Sequence, residues 1–239
     1  PFNGALSIFR HILRRDFLHV VSHNLKAPAA AATMLLKTIE SVWAKDMPED
    51  AQGAIKRAYA RTQELGNLVQ DLQQLVLLES GILNSAEETF SLNEIARKLA
   101  EEYRDSAGEK QQTIEMHLEE NLPLLHAVPR LILEAAVNYV TNAIKYTPEG
   151  GVITLRTRSG ENEVCFEVED TGVGISQAHL NTLFGEFVRA PAQVSGQQPP
   201  GIGLGLSIVN HVITAHGGRV TVESTPDVGS TFSIYLPVA

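Results

Sequence analysis

The chain has 239 residues, 44% hydrophobic and 20% charged, which is the composition of a folded globular protein rather than a fibrous or disordered one. Lys plus Arg number 19 against 28 Asp plus Glu, and a net charge of −9 argues against broad binding to nucleic-acid phosphates, which needs a dense cationic surface. The single cysteine, Cys165, precludes an intramolecular disulfide and fits a reducing compartment such as the cytoplasm. No run approaches the ~18 apolar residues of a membrane span. The chain starts at Pro1 rather than Met, so it reads as a fragment, and a membrane segment upstream is compatible with it.

From Ile8 to Val42 apolar residues recur in steps of three and four: Phe17, Val21, Leu25, Pro28, Ala32, Leu35 and Ile39. That spacing predicts a long amphipathic helix. A polar break follows, and Pro48 with Glu49 and Asp50 marks the start of a second helix. Its seam is Ile55, Ala58, Thr62, Leu65, Val69, Leu72 and Val76, and Gly81 is its expected end. Two long helices joined by a short loop predict an antiparallel hairpin, which cannot cover both of its apolar faces alone. The economical solution is a dimeric four-helix bundle made by two copies.

Beyond Asn84 the texture changes. Helices are expected over Leu92 to Ala107, Arg130 to Tyr146 and Leu204 to His216. Strands are expected over Thr113 to Leu118, Val152 to Thr157, Val164 to Glu169, Arg219 to Ser224 and Ser230 to Leu236. Gly185 to Gly203, rich in Pro and Gly, reads as a long mobile loop. The alternation predicts a two-layer α/β sandwich. The domains are therefore 1–84 and 85–239, an α+β multidomain chain.

Five spaced groups carry chemistry. Asn138 and Asn142 lie four apart, hence on one helical face, with Lys145 and Tyr146 a turn further on. An amide oxygen is a hard, neutral ligand suited to Mg²⁺, although such a pair can also bond within a core. Asp170, Gly172, Gly174 and Ile175 follow a strand directly, and Gly201, Gly203, Leu204 and Gly205 lead into a helix. Glycines let a backbone approach a ligand, and a helix start favours phosphate, yet either cluster alone also fits a structural turn. No G-x-x-x-x-G-K-[ST] run exists, which excludes a P-loop. Phe184-x-x-Phe187-x-Arg189 and Gly229-Ser230-Thr231-Phe232 complete the order.

That order resembles the ATP-binding domain shared by histidine kinases, gyrase-type topoisomerases and certain chaperones, the GHKL type. Phe-x-x-Phe-x-Arg is similar to the histidine kinases within it. The resemblance covers Phe90 to Ala239. It implies that Asp170 binds the adenine amino group and that Asn142 holds Mg²⁺ with Asn138 in support. It also implies that Lys145, Tyr146, Gly172, Gly174, Ile175, Phe187, Arg189, Gly201, Gly203, Leu204, Gly205 and Thr231 contact ATP, with Gly185 to Ile202 as a lid. Phe17 to Pro28 resembles the phosphoacceptor box of the same kinases, with His23 as the histidine that is phosphorylated. His23 lies about 200° around the helix from both Val21 and Leu25, off the apolar stripe and toward solvent. A His19, His23 and Asp16 metal site is the competing reading; it lacks a fourth ligand.

The resemblance implies a sensor histidine kinase core. His23 is autophosphorylated from ATP, then the phosphoryl group moves to an aspartate of a response regulator receiver domain. The expected partners are that regulator and a second copy of the chain, with no nucleic acid.

Several positions depart from the pattern. The acid that usually follows the histidine is Asn24, which implies a slower kinase or, as the alternative, a catalytically weakened ATP-binding dimeric scaffold. Ala27 stands where Thr or Asn is common, implying weak phosphatase activity toward the regulator. Val128 and Ile202 replace a frequent Asp and a frequent Thr or Ser. Gyrase-type relatives carry a water-activating glutamate where this chain has Asn138, so hydrolysis by that route lacks its base. A serine kinase of the anti-sigma type would share the ATP domain without needing the helical module.

Overall fold

The computed structural model describes residues 25, 28–43, 47–79, 87–185, 188–191, 194 and 203–238. The chain divides into two compact units, Pro1–Ile82 and Leu83–Ala239.

In the first unit, residues 28–43 form helix α1 and Glu49–Glu79 form α2. Pro48 stands directly before α2; its carbonyl accepts the Gln52 N–H at 3.0 Å, and Glu49 and Asp50 occupy the first turn, where the helix dipole favours acids. Of the expected apolar stripes, Leu25, Pro28, Leu35, Ala58 and Leu65 are exposed, and Ala32, Ile39, Ile55 and Thr62 are half-buried. Met34, Leu35, Val42, Trp43 and Leu65 are all exposed, and among the described side chains of this unit Ala29 alone is buried. The expected end of α2 at Gly81 lies outside the described residues.

The second unit is a five-stranded sheet with helices on one face. Its strands are β2 (Thr113–Leu118), β4 (Val152–Ser159), β5 (Glu163–Asp170), β6 (Arg219–Thr225) and β7 (Gly229–Pro237), in the order β2-β4-β5-β7-β6. Two further strands, β1 (Glu88–Phe90) and β3 (Leu125–Ala127), pair apart from it. These two escape the sequence pattern because three residues are too few to display a period of two. The pair β2–β4 is parallel and the others antiparallel. A parallel pair cannot be closed by a hairpin and needs a crossover. The crossover here carries α4 (Pro129–Tyr146), which is thereby laid against the sheet beside α3 (Leu92–Gly108) and α6 (Gly205–Ala215).

Register explains the core. Ile153 and Leu155 of β4, Val164, Phe166 and Val168 of β5, and Phe232, Ile234 and Leu236 of β7 share one face and are all buried. Across from them Tyr139 of α4 packs on Phe232, with ring centroids 5.2 Å apart. The opposite face carries cross-strand ion pairs: Arg156–Glu169 at 2.7 Å, Arg158–Glu167 at 2.7 Å and Arg219–Glu163 at 2.6 Å. Cys165 lies on that polar face yet is buried, between Arg158 and Tyr235 in register; burial pushes its thiol up to about 12.

Helix ends are tied to neighbours. Ser91 caps α3, accepting the Asn93 N–H at 3.2 Å. Val128, standing where an acid was the commoner choice, offers α4 no side-chain cap, and Pro129 follows it. Its own N–H instead donates to His216 Nε2 at 3.3 Å, at the far end of α6, while His216 Nδ1 donates to the Val212 carbonyl at 2.8 Å.

The Tyr139 hydroxyl is buried without a hydrogen-bond partner, and such a group costs on the order of 1–3 kcal/mol. Tyr139→Phe is therefore expected to raise the unfolding midpoint, by about 1 kcal/mol of stability in chemical denaturation. A loss of comparable size would show that the hydroxyl is satisfied.

Candidate functional site

The C-terminal half of α4 is where the chemistry-bearing groups of the second unit meet. Asn138 and Asn142 are half-buried on one face of this helix. Their roles differ. The Asn138 amide donates to the Glu134 carbonyl at 3.1 Å, and its oxygen faces the first residue of α6. A Cβ at Gly205 would stand 2.5 Å from Asn138 Oδ1, so only glycine lets α6 begin this close to α4. Asn142 has no hydrogen-bond partner among the described residues, which leaves its amide oxygen available to a cation or ligand. Lys145, half-buried, follows three residues on, with its ammonium 5.1 Å from the centre of the Tyr146 ring.

The loop after β5 reaches the end of the same helix. Val173 N–H donates to the Tyr146 carbonyl at 3.2 Å. Gly172 lies in the narrowest part, where a Cβ would overlap both Asp170 Oδ1 and the Tyr146 carbonyl. Gly174 passes against the Thr225 carbonyl, and Ile175 N–H donates to Ser224 Oγ at 2.8 Å. Arg189 closes the other side by hydrogen-bonding Tyr146. Burial raises the Tyr146 phenol above its ordinary value, and Arg189 opposes that shift.

Asp170 is a buried acid whose charge the surroundings disfavour. It ends β5 on the core-facing side and is 6% exposed. Burial pushes its carboxyl up to about 6; the backbone N–H groups of Gly172, at 2.8 Å, and Ser230 pull the other way, and Glu169 adds to the rise. The carboxylate is thus mostly ionised at neutral pH, at a cost in stability, and it has lone pairs left over for a donor.

Register also separates two neighbouring residues of β7. Thr231 pairs with Glu169 and Glu223 on the polar face, opposite to Asp170. Its neighbour Ser230 is the residue paired with Asp170 on the core-facing side. Strand alternation alone carried this signal, because Phe232 is a core residue and so shares its face with Ser230 rather than Thr231. Leu204 is fully buried, so only its backbone is available at the start of α6. His23, Asn24, Phe187 and Gly201 lie outside the described residues, as do most of the expected lid and the His19, His23 and Asp16 group. Among the described residues no cluster of three or more His, Cys, Asp or Glu side chains is arranged to hold a metal.

Residues 127–239, which contain every group just described, match the family model of the histidine kinase-, DNA gyrase B-, and HSP90-like ATPases. This region belongs to that ATPase family. Beyond the ATPase domain, the chain is homologous to sensory histidine kinases over nearly its whole length. It is 27% identical over 235 residues to the circadian input-output histidine kinase CikA of Synechococcus elongatus, covering 98% of this chain and 31% of that protein. To the adaptive-response sensory kinase SasA of Thermosynechococcus vestitus it is 31% identical over 227 residues, covering 92% of this chain and 59% of the relative. The chain thus spans a third to three-fifths of the length of these relatives.

Solved structures share the fold. Full-length ShkA, determined in complex with AMPPNP, superimposes with a TM-score of 0.73 at 24% identity, over 94% of this chain and 46% of that one. AdeS of Acinetobacter baumannii gives 0.63 at 22%, over 90% and 98%. Among the described residues no helix is long and apolar enough to cross a membrane.

Asp170 makes the stability of the ATPase domain pH-dependent. Its folded-state value lies above the ordinary 3.8, so the folded form binds the proton more tightly. That contribution is fully present below about 3.8 and is lost as pH rises through about 6. Asp170→Asn is expected to flatten the pH dependence in this window and to melt a few degrees higher than the parent at pH 7.5. A lower melting temperature at that pH would contradict the burial cost.

Proposed function

We propose that the chain is the catalytic core of a sensor histidine kinase that transfers the γ-phosphoryl group of Mg-ATP to its own His23 and then to an aspartate of a response regulator receiver domain. The observation that carries this reading is the meeting of three elements at the C-terminal half of α4. They are an Asn142 amide without a partner among the described residues, a buried Asp170 carboxylate with spare lone pairs, and the N-terminus of α6. Two of these suit phosphates and a hard cation, and one suits an exocyclic amine.

The roles follow from the chemistry. Asp170, an acceptor backed by Gly172 N–H, receives the adenine amino group. The first turn of α6 offers free N–H groups to phosphate oxygens. Asn142 fits Mg²⁺ as a neutral oxygen ligand, the phosphates supplying further oxygens; when bound, the cation neutralises charge on the transferred group. Lys145 adds a positive charge on the same helix. Arg189, through Tyr146, ties the lid segment to α4. A ring nitrogen of His23 attacks the γ-phosphorus, the bond to the β–γ bridging oxygen breaks, and ADP leaves. Asn24 can accept a hydrogen bond from the other ring nitrogen but cannot take its proton. Catalysis then rests on positioning and charge neutralisation.

The first unit serves dimerisation and phosphotransfer in this reading. Five large apolar side chains exposed on α1 and α2 support a second copy as the cover, giving the four-helix bundle. The regulator docks on the same module. The need for ATP suits a reaction carried out in the cytoplasm.

Incubation with γ-labelled ATP and Mg²⁺ is expected to leave an acid-labile, alkali-stable label that disappears in His23→Gln. Nucleotide binding without label would identify an ATP-responsive scaffold, and an alkali-labile, acid-stable label would identify a serine kinase. Asn24→Asp is expected to speed labelling by about tenfold or more, the lower range for general-base assistance; an unchanged rate would show that the acid is dispensable. Asp170→Asn is expected to weaken ATP binding by about tenfold, the scale of one lost charge-assisted hydrogen bond, in spite of its higher thermal stability.

A further inference from the structure

We propose that Ser224 is a positioning residue for base recognition, fixing the hydrogen-bond polarity of Ser230 and holding the backbone of Ile175; this rests on the nucleotide reading above.

Ser224, Ser230 and Asp170 form one row across three strands. Ser224 of β6 pairs with Ser230 of β7, and Ser230 pairs in turn with Asp170 of β5. The next row inward is apolar: Val222, Phe232 and Val168. A polar row at the end of a hydrophobic face is where a base would meet the sheet. Ser230 and Asp170 are both buried, while Ser224 is half-buried at its edge.

The Ser224 hydroxyl makes three contacts. Ile175 N–H lies 2.8 Å from its oxygen, the Gly229 carbonyl 2.9 Å, and Ser230 Oγ 2.9 Å. A serine hydroxyl has one proton and two lone pairs. Ile175 N–H can only donate, and the Gly229 carbonyl can only accept. Ser224 therefore spends its proton on Gly229 and one lone pair on Ile175. The third contact closes only if Ser230 donates, so all three exist together in one arrangement.

The consequence falls on Ser230. Its proton points to Ser224, away from Asp170, and its lone pairs are what it shows to the site. Ser230 N–H is also taken, since it donates to the Asp170 carboxylate. Serine and carboxylate together then present only acceptors. An amine on a base satisfies them, whereas a carbonyl oxygen at the same position, as in guanine, faces lone pairs alone. With Ser224 removed, the Ser230 proton is free to turn toward Asp170 or toward a base carbonyl, and Ile175 N–H loses its partner. Ser224 touches no ligand in this scheme; it acts through Ser230 and the loop.

The test is the affinity of the full chain for Mg-ATP and for Mg-GTP by calorimetry, in the parent and in Ser224→Ala, Ser224→Cys and Ser224→Thr. The Ala and Cys variants are expected to bind ATP about fivefold more weakly and to lose about tenfold in the ATP-to-GTP ratio, as for one or two lost hydrogen bonds. Ser224→Thr keeps the hydroxyl and should stay within about twofold of the parent on both measures. Should the Ala variant fail to fold, the Cys variant, closer in size, carries the same comparison with Thr. An unchanged ATP-to-GTP ratio in Ala or Cys, with both nucleotides weakened equally or not at all, overturns the proposal and leaves Ser224 a structural residue. A parent chain that binds no ATP, or an Asp170→Asn variant that binds it as well as the parent, brings down the nucleotide site itself and this proposal with it.

Discussion

A carboxylate buried at the end of a sheet is the constraint around which the second unit is arranged. Removing Asp170 from water disfavours its charge, and that charge persists at neutral pH only because backbone N–H groups are aimed at it. Supplying them demands close approach. Gly172 must fold back over the carboxylate and under the Tyr146 carbonyl, which leaves no room for a side chain. Gly229 must pass the Asp170 carbonyl on the other side, equally without one. The β5 loop, the end of α4 and the β6–β7 turn are thereby locked to one another by a single acidic group.

The polarity of the sheet follows a related logic. Its inner face is closed by three helices because one parallel strand pair needs a crossover, and the crossover brings α4 and its asparagines to the carboxylate's end of the sheet. The outer face carries no helix among the described residues and is satisfied by charge instead, through three Arg–Glu pairs across strands. Exposed pairs of this kind contribute little to stability individually, on the order of 1 kcal/mol or less. Their effect is to make that face unsuited to burial, so the functional groups collect on the inner side. In the first unit, among the described residues, large apolar side chains on α1 and α2 are exposed.

Much of this is legible in the sequence itself. Long periodic segments, such as α3 and α4 or strands β4, β5, β6 and β7, appear within about two residues of where their patterns put them. The short strands β1 and β3 do not show in the pattern, because pairing rather than periodicity defines them. Asn142 and Asp170 were visible as candidates from type and spacing. Thr231 and Ser230 are told apart only by register, since a motif names positions and not the side of the sheet on which they fall. Ser224 carried no motif at all; it emerges only when β6 is paired with β7. The link from His216 to Val128 spans 88 positions and is equally silent in one dimension.

The sequence by itself determined the two-part organisation, the order of the elements and the residue types able to handle phosphate, cation and amine. These are local properties, written in spacing and composition. The tertiary structure decided which of those residues share a face and which are left with free hydrogen-bonding capacity. It turned Asn138 toward α6, left Asn142 without a partner among the described residues, and put Ser230 rather than Thr231 beside Asp170. The physical reason is that register and close approach arise between segments far apart in the chain. The net charge of −9 never bore on the site, where backbone N–H groups and one buried acid outweigh the sum of surface charges.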